Sequence, residues 1–223
     1  MEMNRTICDS ICYLRNKQMK TTTIILLVVS VLVILFIITQ GFVSKASKDI
    51  ETLSYKVLKT HPNFEIRAYS EANFSSVTIP KQSYKEMSST GFRKLAGYIF
   101  GGNEDSKSIA MTSPVAMEMG DSMTMKFMIP SEYDLSELPK PNDSSIRFTK
   151  ENSKILAIIR FGGWASDDRL EEKKKELIQL LDSEGIAHNS KFTFLGYNPP
   201  YEVMNRRNEM TVELENYSFD SAE

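Results

Sequence analysis

Side chains able to do acid–base or metal chemistry are few and scattered in this chain. His61 and His188 are the only imidazoles in 223 residues, and neither neighbours a nucleophile or carboxylate motif of the Ser-His-Asp or Cys-His kind. His61 precedes Pro62 in a turn and His188 falls in a loop after a helical stretch, so both are expected at the surface. Cys8 and Cys12 lie before a long apolar run, so the rest of the chain can form no internal disulfide and has no cysteine–histidine metal spacing. Gly101-Gly102 suits a helix cap better than a phosphate cradle. Met111, Met117, Met119, Met123, Met125 and Met128 crowd one region, and thioethers there are expected to fill core gaps rather than to ligate a metal. A chain so equipped reads as a binding protein and not an enzyme. A hydrolase using a glutamate base is the remaining catalytic alternative.

Composition divides the chain. Residues 21–44 are 24 positions without a charge, and residues 24–38 are almost unbroken Ile, Leu, Val and Phe. As a helix this run spans roughly 36 Å, enough for the hydrocarbon core of a bilayer. Arg15, Lys17 and Lys20 precede it without a nearby acid, which places the N-terminus on the cytoplasmic side and the rest on the outer side. A cleaved secretory signal starting at Met19, with Ser44-Lys45-Ala46 as its cleavage site, is the competing reading. Residues 1–48 hold six basic residues against two acidic ones; with −2 overall, the remainder carries a net −6. An acidic domain is a poor partner for nucleic acid, so none is expected. The soluble part, about 175 residues, suits one domain.

The expected organisation is a tail (1–20), an anchor (21–44), a linker (45–54), a domain (55–215) and a loose tail (216–223). Within the domain, alternation predicts strands over 64–69 and 72–79. A stripe of Phe92, Leu95, Ala96 and Ile99 predicts a helix over 82–100. Strands over 109–119 and 123–129 follow, around the Gly120-Asp121 turn. The pattern then recurs: strands over 146–150 and 155–161 paired around Asn152-Ser153, a helix over 166–184 capped by Ser166 and Gly185, and strands over 192–197 and 210–214. The fold class is therefore α+β, a duplicated ββαββ related by a pseudo-twofold axis.

Three ordered motifs carry a family resemblance. The first is Phe92, Leu95, Tyr98, Ile99, Gly101 or Gly102, Asn103, Ile109, Met111, Thr112, Pro114 and Val115. The second is Phe161-Gly162-Gly163-Trp164-Ala165, opening the second helix. The third is Gly196-Tyr197-Asn198-Pro199-Pro200 followed by Arg206-Arg207-Asn208-Glu209. Together, over about residues 53–214, they resemble the SOUL haem-binding family. The resemblance implies a distorted eight-stranded antiparallel barrel flanked by two helices, with haem or another apolar planar tetrapyrrole as ligand. It places the first helix near the 197–207 loop, so that Arg93, Lys94, Arg206 and Arg207 would meet propionates while Tyr201 and Met204 cover the ring. Where some members carry an iron-ligating histidine or ligand-holding cations, this chain has Ala68, Ser89, Gly97 and Glu202. The duplicated layout also resembles GyrI-like effector-binding domains, which implies a ligand-binding or interaction domain that takes no haem as the alternative.

Overall fold

The computed structural model describes residues 22–41, 50–80 and 83–217, in two units divided between Lys48 and Asp49. The 1–20 tail with Cys8 and Cys12, residues 42–49 and the end of the chain after Tyr217 fall outside the described residues.

The first unit contains helix α1, Thr22–Gly41, which is long and apolar enough to cross a membrane. Two of its polar side chains bond backbone carbonyls of the preceding turn. Ser30 Oγ donates to the Leu26 carbonyl and Thr39 Oγ1 to the Phe36 carbonyl, both at 2.8 Å.

The second unit is one antiparallel sheet with two helices. Strands β1 (Tyr55–Thr60), β2 (Glu65–Tyr69) and β3 (Ala72–Pro80) lead into α2 (Tyr84–Ile99). Then follow β4 (Val115–Met119), β5 (Ser122–Met128), a 3-10 turn at Leu135–Glu137, β6 (Arg147–Glu151) and β7 (Lys154–Phe161). Helix α3 (Asp167–Ser183) precedes β8 (His188–Gly196) and β9 (Asn208–Leu214). The strand order is β1-β2-β7-β9-β8-β4-β5-β3-β6. Exchanging β2, β3, β4, β5 with β6, β7, β8, β9 maps the eight strands other than β1 onto themselves, so the pseudo-twofold axis runs between β4 and β8.

That symmetry corrects one expected pairing. The Asn152-Ser153 turn does not close a hairpin: β6 pairs with β3, whereas β7 pairs with β2 and β9. The turn instead crosses between the two halves, as the 70–71 turn does from β2 to β3. The sheet also has nine strands rather than eight, because β1 adds along β2 with a register shift between Val57 and Lys59. The expected strand over 109–119 shortens to Val115–Met119, since backbone groups before it go elsewhere. Ile109 N donates to the Ile99 carbonyl and Ser113 N to the Glu51 carbonyl, and the Ser113-Pro114 peptide is cis. The same exchange binds residues 51–54 to the domain: Leu53 N donates to the Ser113 carbonyl and Ser70 N to that of Ser54.

Both helices lie on one face of the sheet. Leu95, Tyr98 and Ile99 of α2 and Leu170, Leu177 and Leu181 of α3 join Ile66, Val77, Met117, Met125, Ile159, Phe194 and Met210 in a single core. The core methionines are gap-fillers, as expected. Helix α2 begins with a capping box, Ser83 against Glu86, and breaks at Gly101, whose φ is +103°. Gly91 lets it close on the sheet: a Cβ there would lie 3.1 Å from Ile79 Cδ1 and from Met125 Sδ. The opposite face carries Arg67, Tyr69, Leu156, Ile158 and Glu209, all buried.

Candidate functional site

The second and third sequence motifs meet at the end of β7. After Phe161 the chain turns through Gly162 and Gly163, the latter at φ +78° with no atom within 4 Å of a notional Cβ. Buried Asn208 fixes this turn by donating from Nδ2 to the Gly163 carbonyl at 2.8 Å. Trp164 follows, 54% exposed, and the Arg206 guanidinium lies over its ring, 4.2 Å from the centroid.

Arg206 is itself held. It donates to the carbonyls of Pro199 (2.8 Å), Glu202 (2.7 Å) and Asn198 (3.2 Å), so one side chain gathers the 198–202 loop. Asn198 Oδ1 accepts from Arg207 N at 2.6 Å, closing the loop's base. Tyr201, Val203 and Met204 stand out from this loop at 65%, 49% and 53% exposure. Burial lowers the Arg206 pKa, with Tyr84 and Glu202 acting in the opposite sense. Tyr84 is the first residue of α2, and its N–H donates to Asp167 at the start of α3 (2.9 Å), so both helix starts lie beside the loop.

Arg207 goes the other way. Its Nη2 meets Glu209 Oε1 at 2.7 Å, and its guanidinium lies 3.9 Å from the Tyr197 ring centroid. Glu209, fully buried, also accepts from Arg67 at 3.1 Å and from Tyr197 Oη at 2.8 Å. Arg67 in turn bonds Glu65 and the Tyr69 hydroxyl. Desolvation opposes the Arg67 charge, yet Glu209, Tyr69 and Glu65 together raise its pKa above the ordinary arginine value. Burial and then the Glu209 charge raise Tyr197, and the same two causes push Tyr69 up to about 12. This network stands on the sheet face away from the helices.

The cations of α2 are separate again. Lys94 Nζ is paired with Asp143 at 2.7 Å and with Ser145 at 2.9 Å, and Asp143 is held well below its usual pKa by the Lys94 hydrogen bond and then by those that the Ser145 hydroxyl and N–H donate to it. Arg93 is exposed and donates to Ser89 Oγ at 3.3 Å. Arg206, Tyr201 and Met204 therefore share one loop, while Lys94 and Arg207 are engaged elsewhere. Trp164 is the residue that sequence reasoning missed as a site member. Its signal was present: a lone tryptophan directly after two glycines.

The expected surface histidines are corrected. His61 has a side chain only 7% exposed, stacked on Phe64 with ring centroids 4.1 Å apart and with Nδ1 3.9 Å from Glu184. The β1–β2 turn folds inward there. His188 is the first residue of β8, not a loop residue, and its Nδ1 lies 2.6 Å from the Asn189 carbonyl. Among the described residues no three His, Cys, Asp or Glu side chains cluster as a metal site. Two clefts open elsewhere. One of about 620 Å³ has a mixed lining, polar at Glu51, Glu71 and Lys150 and apolar at Leu53, Ile129 and Tyr133. The other, about 80 Å³, lies on the sheet face away from the helices and contains the ion pairs of Lys126 with Glu118 and Glu151. Neither is lined by α2 or by the 198–206 loop.

Comparison with known proteins agrees with this architecture. The family model described as SOUL heme-binding protein matches residues 50–213. Heme-binding protein 2 of Mus musculus is 32% identical over 164 residues, 69% of this chain and 79% of the relative. Its Homo sapiens counterpart is 30% identical over the same shares, and Heme-binding protein 1 of Xenopus laevis is 28% identical over 66% of this chain and 81% of its own. Among solved structures, the EcmrR C-terminal domain superimposes with a TM-score of 0.56 at 10% identity, covering 73% of this chain and 99% of its own. A hydrolase from Listeria innocua gives 0.51 at 9% identity, over 70% and 94%. These two likenesses concern the fold alone. Residues 50–213 being matched as a whole, the chain belongs to the SOUL heme-binding protein family.

Proposed function

We propose that this protein binds a tetrapyrrole, haem being the foremost candidate, and carries or buffers it without a chemical step of its own. The single observation that carries this reading is the exposed ledge of Trp164, Tyr201, Val203 and Met204 built around the clamped Arg206. A flat apolar ring fits such a ledge, and a carboxylate fits a cation at its edge. Relatives named Heme-binding protein 1 and 2 support the same ligand class. Tyr201 and Met204 would cover the ring, and they carry atom types that hold haem iron in other proteins. Arg206 supplies positive charge from beneath the ledge, its Nη groups being bonded to the carbonyls of Pro199, Glu202 and Asn198, and Arg93 on the exposed face of α2 is the cation offered to a carboxylate. Arg207 and Lys94 fit less well, since Glu209 and Asp143 already hold them. Haem, when bound, supplies its own iron chemistry; these side chains supply a surface and a charge.

In this reading residues 21–44 anchor the chain in a bilayer with the N-terminus cytoplasmic and the 55–215 domain on the outer side. Secretion after signal cleavage is the alternative. The test is titration of the full chain in lipid nanodiscs with hemin, against empty nanodiscs. A saturable Soret shift at micromolar hemin supports the proposal; its absence removes it.

One observation favours a second reading, a ligand-binding domain of GyrI-like type that takes no haem. Ser89 and Gly97 place no charge on the exposed face of α2, and Glu202 is buried. Mass spectrometry of small molecules co-purifying with the chain separates the two.

A further inference from the structure

Trp164 is absent from the core clusters, yet its ring and the backbone before it are both held. Two contacts position it, and the start of α3 follows directly. Asn208, 2% exposed, holds the carbonyl of the preceding Gly163. Arg206 backs the indole at 4.2 Å and is itself pinned by three carbonyls of the 198–202 loop. Ser166, two residues on, starts α3 as its N-cap, accepting from Arg169 N. An indole backed on one face and held at the preceding backbone is preorganised for a partner on its other face. Trp164 is 54% exposed, and nothing lies within 4 Å of a Cβ at the neighbouring Gly163.

We infer that the indole of Trp164 is the stacking platform for the ligand, an aromatic macrocycle bearing carboxylates, laid against the ring with Arg206 behind it. A guanidinium behind the ring places positive charge beneath a ligand that carries negative charge at its rim, and a flat π-system is the shape that a glycine-flanked indole admits. The inference rests on the tetrapyrrole reading and adds the residue that determines where the ring sits.

Trp164 is the single tryptophan of the chain, so its indole N–H gives one resonance. The full chain in nanodiscs is titrated with metal-free protoporphyrin IX, which is diamagnetic, and binding is followed in parallel by the Soret band. Stacking displaces the indole resonance upfield by ring current, saturating together with the Soret change. Trp164→Ala weakens binding about tenfold, the scale of one aromatic partner, and Trp164→Phe restores it. An indole resonance that stays in place while the Soret change saturates overturns the inference and leaves tetrapyrrole binding intact. No Soret change at all overturns both. Quenching of Trp164 emission by brominated phospholipid, with no response to porphyrin, assigns the ledge to the bilayer and overturns it as well.

Discussion

Arg67 on β2 and Glu209 on β9 stand 142 positions apart in the chain and meet at 3.1 Å across β7, with 4% and 0% of their side chains exposed. Around them Tyr69, Tyr197 and Arg207 satisfy the remaining donors and acceptors. The pair joins the first half of the domain to the last strand of the second. Removing Glu209 leaves Arg67 with Glu65 as its one carboxylate partner and takes from Tyr197 and Arg207 theirs. Glu209→Gln is therefore expected to lower unfolding stability by about 1.5–3 kcal/mol, the scale of a lost charged hydrogen bond. Urea denaturation of the variant checks it, and a loss below about 1 kcal/mol would show that water reaches the network.

Alkaline pH attacks that cluster and also Tyr98 in the core beneath the helices. Tyr69 and Tyr98 are each raised to about 12, both by burial in the first place, and Tyr197 is raised further. Above pH 10 the unfolded chain releases these phenolic protons while the folded chain keeps them, so the unfolded state binds fewer protons. Stability present below pH 10 is then lost as pH rises from 10 towards 12, by about 1.4 kcal/mol per pH unit for each such tyrosine. Denaturant midpoints at pH 9, 10 and 11 follow the slope. Tyr98→Phe, which gives up one hydrogen bond to Pro139, is expected to make it shallower.

Arg206 and Arg207 are neighbours in sequence and part on opposite sides of the sheet, which separates their expected phenotypes. Arg206→Ala releases the 198–202 loop and the Trp164 ring, and porphyrin affinity is expected to fall about tenfold, the equivalent of about 1.4 kcal/mol. Arg207→Ala leaves the ledge in place but removes a charge from the Glu209 network, so stability falls and affinity does not. Equal effects on affinity in the two variants would contradict this separation.

Two glycines of the first motif give opposite predictions. A Cβ at Gly102 would lie 2.6 Å from the Gly97 carbonyl, a backbone atom that cannot swing aside, so Gly102→Ala is expected to destabilise by about 1–3 kcal/mol. Gly97 lies in the exposed face of α2 with nothing within 4 Å of a Cβ, and Gly97→Ala is expected to stabilise by roughly 0.5–1 kcal/mol. Thermal melts of the two single variants should move in opposite directions.

What the amino-acid order determined by itself is local. The apolar run of α1, the stripes and caps of α2 and α3, the glycine break at Gly101 and the duplicated strand–helix order all depend on residues within a few positions of one another. Those interactions are close in sequence, so periodicity and turn chemistry reveal them. Tertiary structure decided what depends on residues far apart. It sent β6 to β3 and β7 to β2 and β9, since the pseudo-twofold exchange, not the two-residue turn, sets the pairing. It turned His61 inward and divided the two arginines between faces. It brought Asn208, Arg206 and Trp164 together from motifs more than forty positions apart, because β9 lies alongside β7 and carries the third motif to the end of the second.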